Sequence, residues 1–231
     1  MPQSRNPTVA GHLLNRLAEI GVHHLFGVPG DFNLAFLDAV IAHPQGSWTG
    51  NANELNAPYA ADGYARCKGA GAFLTTFGVG ELSAINGVAG SYAEYLPVLQ
   101  IVGAPSAASR ENRELLHHTL GNGRFDQFAT MAREVTIAQA LLTKTNAVAE
   151  IDRVLAEMLT HRRPGYIVLP TDVVGAPAGD AGGLTLPEDR IDAHQLALFA
   201  AHARELIGLL PKQDVPTLLE EIVLRGRLEI R

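Results

Sequence analysis

The 231-residue sequence has little cysteine, little charge and no long apolar run. Its single cysteine, Cys67, excludes an internal disulfide and any metal site built from several cysteines. Charged residues make up 18% of the chain and the formal net charge is −6, so we expect neither nucleic acid nor an anionic membrane as a partner. Glu81 and Glu94 interrupt the most hydrophobic region, which leaves no stretch that could span a bilayer. Because residues 1–6 are polar and form no secretory signal, we expect a cytoplasmic protein.

What the sequence does contain is a regular alternation of short apolar strands and helices. Hydrophobic residues make up 47% of the chain, enough for a sizeable core. The alternation predicts an α/β fold, a doubly wound parallel sheet with helices on both faces, followed by a C-terminal helical extension. The predicted strands cover 24–28, 72–76, 98–102 and 166–169, and the predicted helices cover 6–21, 31–41, 54–66, 80–92 and 146–159.

The character of the sequence changes after Val174. Residues 175–183 are rich in Gly, Ala and Pro, which is typical of a linker. Beyond the linker, an apolar pattern predicts one helix that ends before Pro211 and a second, shorter one. We therefore divide the chain into a domain at 1–177, a linker at 178–192 and a helical tail at 193–231, with the tail helices at 193–210 and 215–225.

Two carboxylates stand at positions where a sheet of this kind binds ligands. Glu54 begins a predicted helix, where an ordinary acid is stabilised by the helix dipole. In a dry pocket the same carboxylate could instead hold a strong hydrogen bond to a ligand. Asp31 follows a Pro-Gly turn at the end of a strand, the side of the sheet where ligands bind, and it could also cap the next helix. Asn33 is an alternative cap that would free Asp31.

His117 and His118 are adjacent in the sequence. On a helix or a strand, neighbouring side chains point to different faces, so we expect no metal site from this pair. Two interpretations remain. The histidines are ordinary surface residues, or they move protons, because an imidazole titrates near neutral pH.

A glycine-containing turn, Gly78-Val79-Gly80, lies between a predicted strand and a predicted helix. It invites a dinucleotide-binding interpretation. However, Ser83 occupies the place of the third glycine of that motif, and no acid follows at a strand end about twenty residues on. The turn requires the conformational freedom of glycine in any case.

Four segments of the chain form a pattern when they are taken together. They are 28–34 (VPGDFNL), 53–66 (NELNAPYAADGYAR), 75–84 (TTFGVGELSA) and 114–121 (ELLHHTLG). In this order and at these spacings they resemble the pyrimidine-binding domain of thiamine-diphosphate-dependent 2-keto acid decarboxylases. The resemblance is closest to the indolepyruvate and pyruvate decarboxylase branch and covers about residues 7–177.

The resemblance implies catalytic roles for four residues. Glu54 matches the glutamate that hydrogen-bonds the pyrimidine ring of the cofactor and favours its imino tautomer. Asp31 matches the acid that handles the substrate and the protonation step after carbon dioxide leaves. His117 and His118 match a histidine pair that lines the active site, stabilises anions and moves protons.

The resemblance also implies a cofactor site. Thiamine diphosphate would lie with its pyrimidine ring against Glu54, Thr76, Gly78, Val79 and Gly80. In the complete enzyme the cofactor is bound together with Mg²⁺. The protein would take a 2-keto acid as its substrate.

The other half of such a site is not recognisable in the sequence. In the family, a diphosphate-binding domain carries a Gly-Asp-Gly motif with downstream asparagines. Here Gly179-Asp180-Ala181 matches only the first two residues of that motif, and no asparagine follows Asn146. We therefore expect a diphosphate-binding domain, in cis or in trans, to complete the site, and we expect no tight cofactor binding by this chain alone.

Three interpretations follow from that half site. The chain is the N-terminal part of a decarboxylase, a subunit of a split decarboxylase, or a noncatalytic module that keeps the fold. In each case we expect a homo-oligomer, because a domain without its neighbours exposes apolar surface. The helical segments 57–65 and 88–93, with their small apolar residues, are the candidate contact faces.

Overall fold

A parallel sheet of six strands organises residues 7–179, the part of the chain that the structure, a computed structural model, describes. Every pair of neighbouring strands is parallel, so all six carboxyl ends lie along one edge of the sheet. The strands are β1 (His24–Gly27), β2 (Ser47–Gly50), β3 (Gly71–Thr76), β4 (Val98–Ala104), β5 (Ala138–Leu141) and β6 (Gly165–Pro170).

Helices connect the strands and cover both faces of the sheet. They are α1 (Val9–Glu19), α2 (Leu34–Ala42), α3 (Asn56–Lys68), α4 (Val79–Ala93), α5 (Ala107–Glu111), α6 (Gln127–Ala132), a 3₁₀ helix (Arg133–Val135), α7 (Ala147–His161) and α8 (Thr171–Val174).

The two faces have separate apolar cores, as β3 illustrates. Successive side chains of a strand point to opposite faces of the sheet. Ala72 and Leu74 pack in a core shared with α1, α2 and α7, whereas Phe73 packs in a second core with α3 and α4. The doubly wound α/β fold predicted from the sequence is therefore confirmed for the described residues.

The strand order β2-β1-β3-β4-β6-β5 contains a switch point. From β1 the chain moves outward to β2, and it then returns to the opposite side of β1 to form β3. In open α/β sheets the ligand crevice lies outside the carboxyl ends of the strands at such a reversal. The fold therefore directs attention to the loops after β1 and β3.

Two predicted helix boundaries are corrected by the structure. Helix α1 begins at Val9 rather than near Asn6, because the Thr8 hydroxyl accepts a hydrogen bond from the Gly11 N–H at 3.1 Å. Helix α3 begins at Asn56 rather than at Glu54, which lies in the preceding turn. Pro58 then falls in the first turn of α3, where its missing N–H costs nothing.

The predicted contact faces, 57–65 on α3 and 88–93 on α4, are partly buried. Ala57, Ala61 and Ala65 are buried in the core between α3, α4 and the sheet, together with Val88. Small residues let these helices approach the sheet closely, and their apolar side chains are not available to a second copy. These four side chains do not form a contact surface, whereas exposed positions of the two segments, such as Tyr59 and Ala93, remain predicted contact positions.

Most of the predicted linker at 178–192 and both predicted tail helices, at 193–210 and 215–225, lie outside the described residues. Among residues 7–179, no helix combines the length and apolar character needed to cross a membrane.

Candidate functional site

A buried asparagine shapes the turn after β1. The Asn33 Oδ1 accepts a hydrogen bond from the Gly30 N–H at 2.9 Å, and its Nδ2 donates to the Val28 carbonyl at 3.1 Å. Asn33 occupies the N-cap position of α2, but its side chain makes no capping hydrogen bond. The expectation that Asn33 or Asp31 caps the helix through its side chain is therefore wrong, and Asp31 projects from the tip of a braced turn.

The carboxylate of Asp31 meets the ring of His117. The His117 Nε2 lies 2.9 Å from the Asp31 Oδ2, and both side chains are largely exposed, at 54% and 69%. The ring of Phe32 stacks on His117 with a centroid distance of 5.0 Å and an angle of 19°. Since Asp31 and Phe32 belong to the same turn, one loop both orients the imidazole and supplies its carboxylate partner.

The second histidine of the pair lies on the same side as the first. His117 and His118 belong to a turn, and His118 has a left-handed backbone with φ of 60°. Their ring centroids are 4.6 Å apart. The premise that the two rings diverge is therefore wrong, because the pair lies in neither a helix nor a strand. The ligand atoms of Asp31, His117 and His118 all lie within 4.8 Å of one another, so this group could hold a metal ion.

A second group of predicted site residues forms at the start of α4. Glu54 and Thr76 both approach the backbone at Gly80, which has no side chain. A Cβ added at this position would lie 3.0 Å from the Thr76 Cγ2 and 3.3 Å from the Glu54 Oε1. The Thr76 hydroxyl is buried and has no hydrogen-bond partner among the described residues. Val79 is half-exposed beside them. A carboxylate, an unsatisfied hydroxyl and an apolar side chain suit the edge of a planar heteroaromatic ring.

Close backbone contacts join the two groups. An added Cβ at Gly30 would lie 2.7 Å from the Thr76 Cβ. At Gly78, where φ is 67°, an added Cβ would overlap the carbonyl oxygen of His118. The turn after β1, the end of β3 and the histidine turn therefore share one wall along the carboxyl edge of the sheet.

Sequence reasoning missed the role of Glu81, which lies in the first turn of α4. Its Oε1 accepts a hydrogen bond from the Gly78 N–H at 2.6 Å, and its Oε2 accepts one from the Tyr166 hydroxyl of β6. Glu81 is only 5% exposed. Burial raises the pKa of its carboxyl from 4.5 to about 7, although the hydrogen bonds of Tyr166 and Gly78 oppose the shift. The three-residue spacing of Gly78 and Glu81 is that of a capping box, a signal that could have revealed this contact.

Arg110 lies within electrostatic range of this buried pair. Burial lowers the pKa of its guanidinium, and the neighbouring carboxylates of Asp126 and Glu81 oppose that shift. Its Nη1 is buried without a hydrogen-bond partner within residues 7–179. Arg110 also lines a cavity of about 430 Å³ that contains none of the predicted site residues and is lined by Arg110, Arg113, Gly123, Arg124, Phe125 and Asp126.

Comparisons with known proteins identify a family and several relatives of this chain. Residues 7–130 match the family described as thiamine pyrophosphate enzyme, N-terminal TPP binding domain. The chain is 54% identical over 203 residues to an alpha-keto-acid decarboxylase of Mycobacterium avium, a match that covers 87% of this chain and 36% of the relative. Proteins of the same name from Mycobacterium leprae and Mycobacterium tuberculosis are 53% and 52% identical over 202 residues, with the same coverage. The chain thus spans about a third of the length of these relatives.

Proposed function

The chain belongs to the thiamine pyrophosphate enzyme family, and we propose that it forms the pyrimidine-binding half of the active site of a non-oxidative 2-keto acid decarboxylase. The reaction converts a 2-keto acid into an aldehyde and carbon dioxide. The names of the mycobacterial relatives support the reaction class. Indolepyruvate and pyruvate are the substrates that we propose.

One observation carries the proposal: Glu54, Thr76 and Gly80 meet at the carboxyl end of β3, next to the switch point between β1 and β3. Bound thiamine diphosphate supplies a nucleophilic carbon for the keto group and an electron sink for decarboxylation. The Glu54 carboxylate would accept a hydrogen bond from the pyrimidine ring and hold it in its reactive tautomer. Thr76, whose hydroxyl has no hydrogen-bond partner within residues 7–179, would line the ring together with Gly78, Val79 and Gly80.

The second group would act on the substrate. The Asp31 carboxylate and the His117 imidazole are joined by a 2.9 Å hydrogen bond, and His118 lies against the same imidazole. Such a set can deliver the proton that takes the place of carbon dioxide in the aldehyde, because an imidazole can both donate and accept protons. Because these side chains are exposed, a keto acid that approaches the edge of the sheet can reach them.

The proposal assigns the diphosphate and its Mg²⁺ to a separate diphosphate-binding domain, in cis or in trans. The chain alone would then be inactive. A subunit of a split decarboxylase and a noncatalytic module remain the alternative proposals. We also propose that the complete protein is a homo-oligomer in the cytoplasm.

Complementation tests the proposal and separates a catalytic chain from a noncatalytic module. The purified chain would be mixed with a separately produced diphosphate-binding domain of a mycobacterial relative, thiamine diphosphate and Mg²⁺, and carbon dioxide release from pyruvate and indolepyruvate would be measured. We expect release from the mixture and none from either part alone. A mixture that forms a stable complex yet releases no carbon dioxide would favour the noncatalytic module.

A further inference from the structure

We propose that Asp31, His117 and His118 form a binding site for a divalent transition-metal ion, with Zn²⁺ as the best match. The proposal rests on the convergence of these side chains in space and is independent of the decarboxylase function.

The ligand atoms are close to the separation that a metal requires. Zn²⁺ binds nitrogen and carboxylate oxygen at about 2.0–2.2 Å, so two ligands of a tetrahedral site are about 3.3 Å apart. The His117 Nε2 and the Asp31 Oδ2 are 2.9 Å apart, and the ligand atoms of all three residues lie within 4.8 Å. A rotation of the His118 side chain would close the remaining gap, and the metal would replace the proton that now joins His117 to Asp31.

The site is held in place by its surroundings. Phe32 stacks on the His117 ring and makes an edge contact with the His118 ring at 6.3 Å. The Asn33 side chain fixes the turn that carries Asp31. Within residues 7–179, no hydrogen bond engages the ring of His118, so a ligand nitrogen is available there. Two of the three ligands, Asp31 and His117, are therefore already positioned, which reduces the conformational freedom lost when an ion binds.

The ligand types select the class of metal. Imidazole nitrogens favour Zn²⁺, Co²⁺, Ni²⁺ and Cu²⁺, whereas Mg²⁺ prefers oxygen ligands. Two histidines with one carboxylate leave a fourth position for water, the ligand pattern of open zinc sites. We therefore expect Zn²⁺ to bind here in the presence of excess Mg²⁺.

Metal binding would have a functional consequence, which does rest on the proposed decarboxylase function. A bound ion would take the lone pairs that Asp31 and His117 use to exchange protons with a substrate. Zn²⁺ would then inhibit the complemented enzyme, and a chelator selective for Zn²⁺ over Mg²⁺ would restore its activity.

Visible absorption of Co²⁺ bound to the purified chain, with displacement by Zn²⁺, tests the site without substrate or cofactor. We expect one ion per chain and strong absorption bands from a site of four or five ligands. Asp31→Asn and His118→Ala should each weaken binding at least about tenfold, because even the loss of a supporting residue near a metal costs 10–100-fold. Unfolding midpoints should show that both variants remain folded.

His161→Ala is the matched control, since it removes another exposed histidine that pairs with a carboxylate, Glu157, at 3.2 Å. We expect this variant to bind Co²⁺ and Zn²⁺ as the unmodified chain does. Equal affinity in Asp31→Asn, His118→Ala and the unmodified chain would overturn the proposal. Because no turnover is measured, this outcome would leave the decarboxylase function untouched.

Discussion

At the scale of single residues, the proposed function depends most on the carboxylate of Glu54. We expect Glu54→Gln to reduce carbon dioxide release by the complemented enzyme about 10²–10⁴-fold, because an amide keeps the shape but cannot favour the reactive ring tautomer. Glu54 is only partly buried, so the stability of the chain should change little. Glu134→Gln, at an exposed position in the 3₁₀ helix, is the control and should keep full activity. Equal rates in both variants would assign the role of Glu54 to another group.

Glu81 gives the folded chain a specific dependence on pH. Its carboxyl pKa is raised from 4.5 to about 7, mainly by burial. Between these values the folded chain holds a proton that the unfolded chain releases, so the contribution of this group to the free energy of unfolding falls as the pH rises. The contribution is fully present below about pH 4.5 and is lost above about pH 7, a difference of about 3 kcal/mol at 1.36 kcal/mol per pKa unit.

Glu81→Gln tests this dependence, because glutamine keeps a hydrogen-bond acceptor for the Gly78 N–H and has no proton to lose. The free energy of unfolding would be measured by urea denaturation from pH 5 to pH 8. We expect the unmodified chain to lose more stability over this range than the variant does, whereas Glu134→Gln should behave like the unmodified chain. Parallel curves for the unmodified chain and Glu81→Gln would exclude this origin of the pH dependence.

The predictability of the site differs from residue to residue. Asp31, Glu54 and Thr76 were expected near the carboxyl ends of strands, and each follows or ends a strand in the structure. The convergence of the two histidines was not predictable, because it depends on the left-handed backbone of His118. From the sequence, Glu81 is predicted only to interrupt an apolar region. Its buried hydrogen-bond partner, Tyr166, lies 85 positions away in the chain, so the sequence pattern around Glu81 does not reveal the contact.

At the scale of elements, the N-terminus of α4 joins the two parts of the site. Gly78→Ala would force a side chain into the His118 carbonyl oxygen at a φ of 67°. We expect it to destabilise the fold by at least about 1–2 kcal/mol, the cost of a left-handed backbone for an L-residue, and to lower activity by displacing the histidine turn. Thermal and urea unfolding, with the complemented carbon dioxide assay, would measure both effects.

Gly90→Ala is the matched control in the same helix, because no atom of the described residues lies within 4 Å of an added Cβ at this position. Alanine in an open helical position should stabilise the chain by about 0.4–1 kcal/mol. If Gly78→Ala lowered the free energy of unfolding and Gly90→Ala raised it, the destabilisation at Gly78 would come from its backbone conformation and its contact with His118. If both variants were equally stable, the close contact at Gly78 would not constrain the helix.

The strands and helices that the sequence did not predict are short, and short elements carry a weak apolar pattern. The central strands β3, β4 and β6 are wholly buried and form apolar runs, so they were predicted correctly. Strands β2 and β5 lie at the two edges of the sheet and have four residues each, with exposed positions that weaken the apolar signal. Helices α5 and α6 have five and six residues, too few to show a helical period.

At the scale of the whole molecule, apolar side chains near the site remain uncovered. Leu115 and Leu120, which flank the histidine turn, are 73% and 50% exposed. Exposed apolar clusters mark surfaces that other domains or copies cover. We expect sedimentation at tens of micromolar to show self-association of the chain, and we expect Leu115→Ser to weaken it. Ile41→Ser also replaces an exposed apolar side chain, on α2, and should leave self-association unchanged. A clean monomer under these conditions would contradict the expectation.

The last prediction is that the isolated chain binds thiamine diphosphate more weakly than millimolar. The Glu54 hydrogen bond contributes about 0.5–1.5 kcal/mol, or up to about 3 kcal/mol with a charged partner. A millimolar dissociation constant already requires about 4 kcal/mol. Calorimetry with thiamine diphosphate and Mg²⁺ would measure the affinity, with thiamine as the control ligand. Both ligands should bind equally weakly, because the proposal assigns the diphosphate to another domain. Micromolar binding of thiamine diphosphate, with thiamine remaining weak, would show that this chain carries a diphosphate site of its own.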